Sequence, residues 1–126
     1  MKVLLDTTVL IDHLRGLDEA AQYLSEVVAR GNELWSVTIV RTEIFAGMRP
    51  KEEEATKELL GQIRWIEVDI ELADAAGELA LKYLQSHPGV DTVDYIVGAA
   101  AQSRDAELAT TNIKHFPMFP DLKKPY

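Results

Sequence analysis

Residues 2–11 read KVLLDTTVLI, and the order of residue types in this stretch decides the fold. Lys2 is followed by three apolar residues, Val3, Leu4 and Leu5, and then at once by Asp6, Thr7 and Thr8. A short unbroken apolar run that stops at polar residues has the pattern of a strand buried on both faces. Val9, Leu10, Ile11 and Leu14 then recur at helical spacing, and Gly16 closes that helix. A buried strand feeding directly into a helix is the first half of a βα unit.

The same unit recurs downstream. Asp18 is placed to cap a second helix carrying Ala21, Leu24, Val27 and Val28, which Gly31-Asn32 stops. Residues 34–37 read as the second strand and residues 38–48 as a helix with Ile39, Glu43, Ile44 and Gly47. Pro50 followed by Lys51-Glu52-Glu53-Glu54 marks a helix start that runs to about Gln62, with the three glutamates as a solvated first turn. Residues 65–68 form the third strand, Asp69 caps a long helix over Leu72, Ala76, Leu79, Ala80 and Tyr83, and His87-Pro88-Gly89 breaks it. The small-residue helix over 92–104 leads to a fourth strand at Leu108-Ala109-Thr110, and the Pro-rich tail around Leu122 offers a short fifth. Strands alternate with helices and no hairpin signal occurs, so the expected fold is a three-layer α/β/α sandwich around a parallel sheet of four to five strands. With no repeat or linker, residues 1–126 read as one domain.

Bulk properties narrow the function. The chain has 21 acidic against 13 basic side chains, a net charge of -8, which argues against charge-driven nucleic-acid binding unless metal ions and a local basic rim supply positive charge. It suits a basic protein partner. There is no cysteine, hence no disulfide framework. The apolar run at the N-terminus is too short for a signal peptide, and none approaches the roughly 18 residues that cross a bilayer. The expected setting is the cytoplasm, with no membrane contact.

In open parallel sheets, ligands bind at the carboxyl ends of the strands. Asp6, Thr7 and Thr8 follow the first strand, Thr38 follows the second with Glu43 about one turn on, and Thr110, Thr111 and Asn112 close the fourth. Asp91 and Asp94 open the helix that feeds the fourth strand. Capping explains Asp6, or the pair Asp91 and Asp94, one at a time. Glu43 sits among Ile39, Val40, Ile44, Phe45 and Ala46, which marks it as a buried carboxylate in need of a partner, and Arg41 is one candidate. Several carboxylates packed together repel one another unless a cation neutralises them, and oxygen ligands suit Mg²⁺ or Mn²⁺ better than Zn²⁺. Phosphodiester hydrolysis is the reaction class that follows.

Four segments together, VLLDTTVLID, SVTIVRTEIFAGMR, VDYIVGAAAQ and ELATTNIKHF, resemble the PIN domain and, within it, the VapC-type toxins of toxin–antitoxin pairs. They occur in family order, at family-like spacing, across essentially the whole chain. The resemblance implies that Asp6, Glu43 and Asp94 are the catalytic, metal-binding acids, with Thr8 and Thr110 as supporting hydroxyls and Asp91 as a cap or outer supporting residue. Asn112 falls where many relatives carry a fourth acid, and a neutral amide there points to one well-held cation rather than two. The resemblance further implies endonucleolytic RNA cleavage leaving 5′-phosphate and 3′-hydroxyl ends, a homodimer, and inhibition by a VapB-like antitoxin laid across the site. Arg15, Arg41, Arg49 and Lys114 lie near the site segments as candidate RNA contacts.

His13, His87 and His115 lack metal-ligand spacing; His115, in Asn-Ile-Lys-His-Phe, can reach the site edge, but packing its loop is the preferred reading. Trp35 and Trp65 are read as core. Two rival functions remain. A phosphatase with an aspartate nucleophile usually carries a second Asp two residues on and a Lys at a later strand end, where this chain has Thr8 and Thr-Thr-Asn. A non-catalytic PIN-like module binding RNA or protein is expected to have lost one principal acid, and all three are present.

Overall fold

The computed structural model describes residues 1–126. In chain order the elements are β1 (Lys2–Leu5), α1 (Thr7–Leu14), α2 (Asp18–Ala29), β2 (Glu33–Val37), α3 (Thr38–Ala46), α4 (Glu53–Leu60), β3 (Arg64–Ile66), α5 (Ile70–Tyr83), α6 (Thr92–Ser103) and β4 (Glu107–Ala109). Single 3₁₀ turns at Pro50–Glu52 and Ile113–His115 complete the list. The four strands are all parallel, in the order β3-β2-β1-β4. Moving outward from β1 to β3 and then back to β4 reverses the direction of travel. Right-handed crossovers therefore place α1 to α4 on one face and α5 and α6 on the other. The expected sandwich is present.

Central β1 is covered from both sides: Val3, Leu4 and Leu5 are 2%, 0% and 0% exposed. This is why its sequence is continuously apolar instead of alternating. Ser36, the one polar residue buried in β2, donates its hydroxyl to the Leu5 carbonyl at 2.7 Å and ties the two strands just before Asp6. The small residues of α6 admit close neighbours. A Cβ added to Gly98 would stand 3.1 Å from the Met118 sulfur, so the tail side chain occupies the space that glycine leaves.

Three expectations are corrected. The tail forms no fifth strand: Pro117, Pro120 and Pro125 remove backbone donors, and the segment makes turns, with Phe119 N–H on Phe116 O at 3.0 Å and Leu122 N–H on Phe119 O at 3.2 Å. It ends on α1, where the Tyr126 hydroxyl donates to Asp12 at 2.7 Å. Asp18 lies inside the first turn of α2 and Leu17 takes the cap position, because Gly16 at φ +85 turns the chain one residue earlier. Glu52 is not solvated. It is 8% exposed, accepts two bonds from the Arg15 guanidinium at 2.7 and 2.5 Å, and accepts the Arg49 N–H at 2.8 Å.

Candidate active site

The chain turns back between β1 and β4, and that switch point is where an open parallel sheet forms its crevice. Asp6 stands on one side of it and Thr110 on the other. The Asp6 N–H extends the ladder by one bond, to Ala109 O at 2.9 Å. Its side chain is 5% exposed and makes no helix-capping bond, although Asp6 occupies the cap position of α1. Instead, Oδ2 accepts the Thr110 hydroxyl at 2.6 Å and the Thr8 hydroxyl at 3.2 Å. Thr8 Oγ1 in turn accepts the Thr111 N–H at 3.2 Å, and Thr110 Oγ1 accepts the Asn112 N–H at 3.0 Å. The two supporting hydroxyls thus bridge the strand ends and aim the carboxylate.

Asp94 reaches the same edge from below. Helix α6 delivers the chain to the start of β4, so α6 must begin at the carboxyl edge of the sheet. Asp91 and Asp94 form a reciprocal capping box: Asp94 N–H on Asp91 Oδ1 at 3.0 Å, and Asp91 N–H on Asp94 Oδ2 at 3.1 Å. The same Asp94 oxygen lies 2.9 Å from His115 Nδ1. Asp91 is exposed, Asp94 is 8% exposed, and only Asp94 faces the site. Capping is therefore true of both residues without accounting for the buried one.

Glu43 is half-buried on α3, and its partner is Thr7, whose hydroxyl donates to Oε1 at 2.6 Å. The expectation of full burial is not met, since apolar residues of this helix are themselves left open to solvent: Phe45 is 39% exposed. Arg41 lies elsewhere, its guanidinium 4.8 Å from the centre of the Trp65 ring. Sequence reasoning placed Thr7 at the strand end without giving it a role, and it favoured loop packing for His115 over an approach to the site edge. The structure sets Thr7 on Glu43 and His115 on Asp94.

The electrostatics follow from burial. Burial pushes the Asp6 carboxyl above its ordinary value, against the opposing pull of Thr110, the Thr7 backbone, Thr8 and the charge of His115. Burial also pushes Asp94 up to about 6; the Asp91 backbone N–H and His115 oppose the rise, and the Asp91 charge adds to it. His115 contacts Asp94 directly, and its charge also favours the ionised form of Asp6. No Lys or Arg pairs with either. As oriented here, no three acidic or histidine side chains enclose a cation position. The donor set nevertheless fits a hard divalent cation: oxygen-bearing carboxylates at the carboxyl edge of the sheet, held by hydroxyls and paired with no Lys or Arg.

The model for the PIN domain matches residues 3–119 of this chain. The chain belongs to the PIN-domain family. Ribonuclease VapC19 of Mycobacterium tuberculosis is 45% identical over 123 residues, covering 98% of each chain. Ribonuclease VapC10 of the same organism is 38% identical over 125 residues, covering 98% of this chain and 92% of the relative. Among solved structures, a toxin–antitoxin complex from Klebsiella pneumoniae superposes with a TM-score of 0.81 at 29% identity, covering 98% of both chains. VapBC2 from Rickettsia felis, bound to a promoter DNA fragment, superposes with a TM-score of 0.79 at 23% identity, covering 97% of this chain and 96% of that one, a likeness of fold.

The basic residues of this PIN domain divide into two sets. Arg15 is held by Glu52 and by the Gly47 carbonyl at 3.1 Å, and Arg41 by its aromatic neighbours. Arg49 and Lys114 are exposed and make no ion pair. Asn112 is exposed at the turn before Ile113–His115, and its side chain caps nothing. No helix is long and apolar enough to cross a membrane.

Proposed function

We propose that this chain is a Mg²⁺- or Mn²⁺-dependent endoribonuclease acting as the VapC-like toxin of a toxin–antitoxin pair. The observation that carries this reading is a buried Asp6 at the switch point of the sheet, held by the Thr110 and Thr8 hydroxyls and paired with no Lys or Arg. The 45% identity to a named ribonuclease over 98% of both chains supports it. Asp6, Glu43 and Asp94 would hold the cation, with Asn112 as a neutral fourth donor.

When bound, a hard divalent cation supplies the positive charge that water deprotonation and the departing 3′-oxygen require. The rest is done by the chain. Thr8 and Thr110 fix the Asp6 carboxylate, Thr7 fixes Glu43, and the capping box with Asp91 and the bond to His115 fix Asp94. Such pre-set carboxylates avoid the cost of reorganisation during reaction. Arg49 and Lys114, unpaired on the surface, bind the RNA backbone, while Arg15 and Arg41 hold the fold. The excess of acidic side chains favours a basic inhibitor, a VapB-like antitoxin, and the active species is a homodimer in the cytoplasm.

The test is to map cellular RNA ends after induced expression of wild type and Asp94→Asn. Discrete new 5′-phosphate ends with wild type alone are expected. Identical ends from both proteins would leave the non-catalytic PIN-like module as the better account.

A further inference from the structure

Asp94 is held by one of its two oxygens. Oδ2 accepts the Asp91 N–H at 3.1 Å and stands 2.9 Å from His115 Nδ1, while Oδ1 has no protein partner. Two tethers on one oxygen set the direction of the other, which is the one free for a cation. The Asp91 tether belongs to α6, as part of its capping box. The His115 tether comes from the chain after β4, so its reach depends on how that segment sits on the helix.

The segment is anchored one turn along α6. Gly98 lies four residues from Asp94, on the same helical face, and Met118 lies three residues from His115. Of the seven glycines, Gly98 is the one whose missing side chain is replaced by a side chain from elsewhere. A Cβ there would stand 3.1 Å from Met118 Sδ and 3.4 Å from its Cε. Glycine weakens a helix interior relative to alanine, and the thioether that fills this notch supplies a reason for it. Phe116 and Met118 are both buried, at 1% and 9% exposure. The backbone around them is braced by turn bonds: His115 N–H on Asn112 O at 3.0 Å, Phe116 N–H on Ile113 O at 3.1 Å, and Phe119 N–H on Phe116 O at 3.0 Å. A braced turn in a close-packed interior passes a displacement on instead of absorbing it.

We propose that Gly98 and Met118 are positioning residues: the thioether seated in the glycine notch sets the height of His115 over Asp94, and with it the aim of Oδ1 in the cation site. This rests on the carboxylate reading above and adds to it two uncharged residues a helical turn away from the carboxylate.

Gly98→Val adds to the notch as many heavy atoms as Met118→Ala removes, so the double variant conserves volume while each single variant does not. Mn²⁺ affinity, read from the electron paramagnetic resonance of the free ion, should fall about fivefold in Gly98→Val and about threefold in Met118→Ala. In the double variant it should return to within about twofold of wild type. Leu59→Ala, a core truncation on α4 across the sheet, should lower the melting temperature and leave Mn²⁺ affinity unchanged, which separates positioning from a general loss of stability. Wild-type affinity in a folded Gly98→Val, or a loss that the double variant does not restore, would overturn the proposal. Should Gly98→Val not fold, unchanged affinity in Met118→Ala would overturn it instead. A wild type that binds no Mn²⁺ would overturn the carboxylate reading as well, so the two failures are told apart.

Discussion

Replacing Asp94 with Asn should make the cation-free protein more stable. The Asp94 carboxyl rises from 3.8 to about 6 on folding, mainly through burial. A shift of about two units corresponds to roughly 3 kcal/mol between protonation states at neutral pH. Partial solvent contact and the loss of the His115 pairing reduce this, so the expected net gain for Asp94→Asn is about 1–2 kcal/mol. Asn still accepts the Asp91 N–H, which preserves most of the capping box. For a domain of this size the melting temperature should rise by about 3–8 °C in EDTA at pH 8. The sign of the pH dependence is fixed. Because the folded carboxyl binds its proton more tightly than the unfolded one, its contribution to stability grows as pH falls from about 6 toward 4, while the penalty is complete above 6. The advantage of the variant should therefore be largest at pH 8 and vanish near pH 4. Saturating Mg²⁺ should raise wild type and leave Asp94→Asn nearly unmoved, narrowing or reversing their order. The measurement is thermal melting across that pH range, with and without Mg²⁺. A variant less stable than wild type at pH 8 in EDTA, or a gain that persists at pH 4, would refute the reasoning.

Thr110→Val keeps the shape of a fully buried residue but removes the hydroxyl 2.6 Å from Asp6, and should cost about 1–3 kcal/mol in urea unfolding, the range for a bond to a buried charged group. Glu52 is held below the usual carboxylate range, first by the Arg49 backbone N–H and then, against burial, by Arg15. Glu52→Gln should therefore lower the melting temperature at pH 7, and the two proteins should converge as pH falls through the folded carboxyl's range, where wild type loses this contribution. Arg49→Ala with Lys114→Ala should raise KM for RNA and flatten its salt dependence while kcat changes little, whereas Arg15→Ala should show its effect in the melting temperature. A kcat loss with unchanged KM in the double variant would show that these side chains act on chemistry, not on backbone binding.

The fold was legible because a short, continuously apolar first strand stops at an acid and is followed by strands and helices in alternation, the pattern of a parallel sheet covered on both faces. The tail misled because Leu122 has strand character while three prolines around it deny a ladder. Asp6 was ambiguous between cap and site, since both readings place the same residue after the same strand; only the side-chain bond to Thr110 separates them. Asp94 was placeable by topology, because a helix that feeds a parallel strand must begin at the carboxyl edge. Glu43 was singled out as a buried carboxylate in need of a partner; it is half-buried, and its partner is the Thr7 hydroxyl. Thr7 and His115 depend on which way short turns aim their side chains, and Glu52 on a contact with Arg15 across 37 residues. Composition and periodicity carry none of these.

Whether Asp6, Glu43 and Asp94 close on one divalent cation at the switch point between β1 and β4 can be read from anomalous diffraction of a crystal grown with Mn²⁺. A single strong peak is expected, touched by oxygens of Asp6 and Asp94, with Glu43 turned from Thr7 toward it, and no peak in Asp6→Asn crystals. Manganese bound away from these carboxylates, or at the same place in the Asp6→Asn protein, would contradict it.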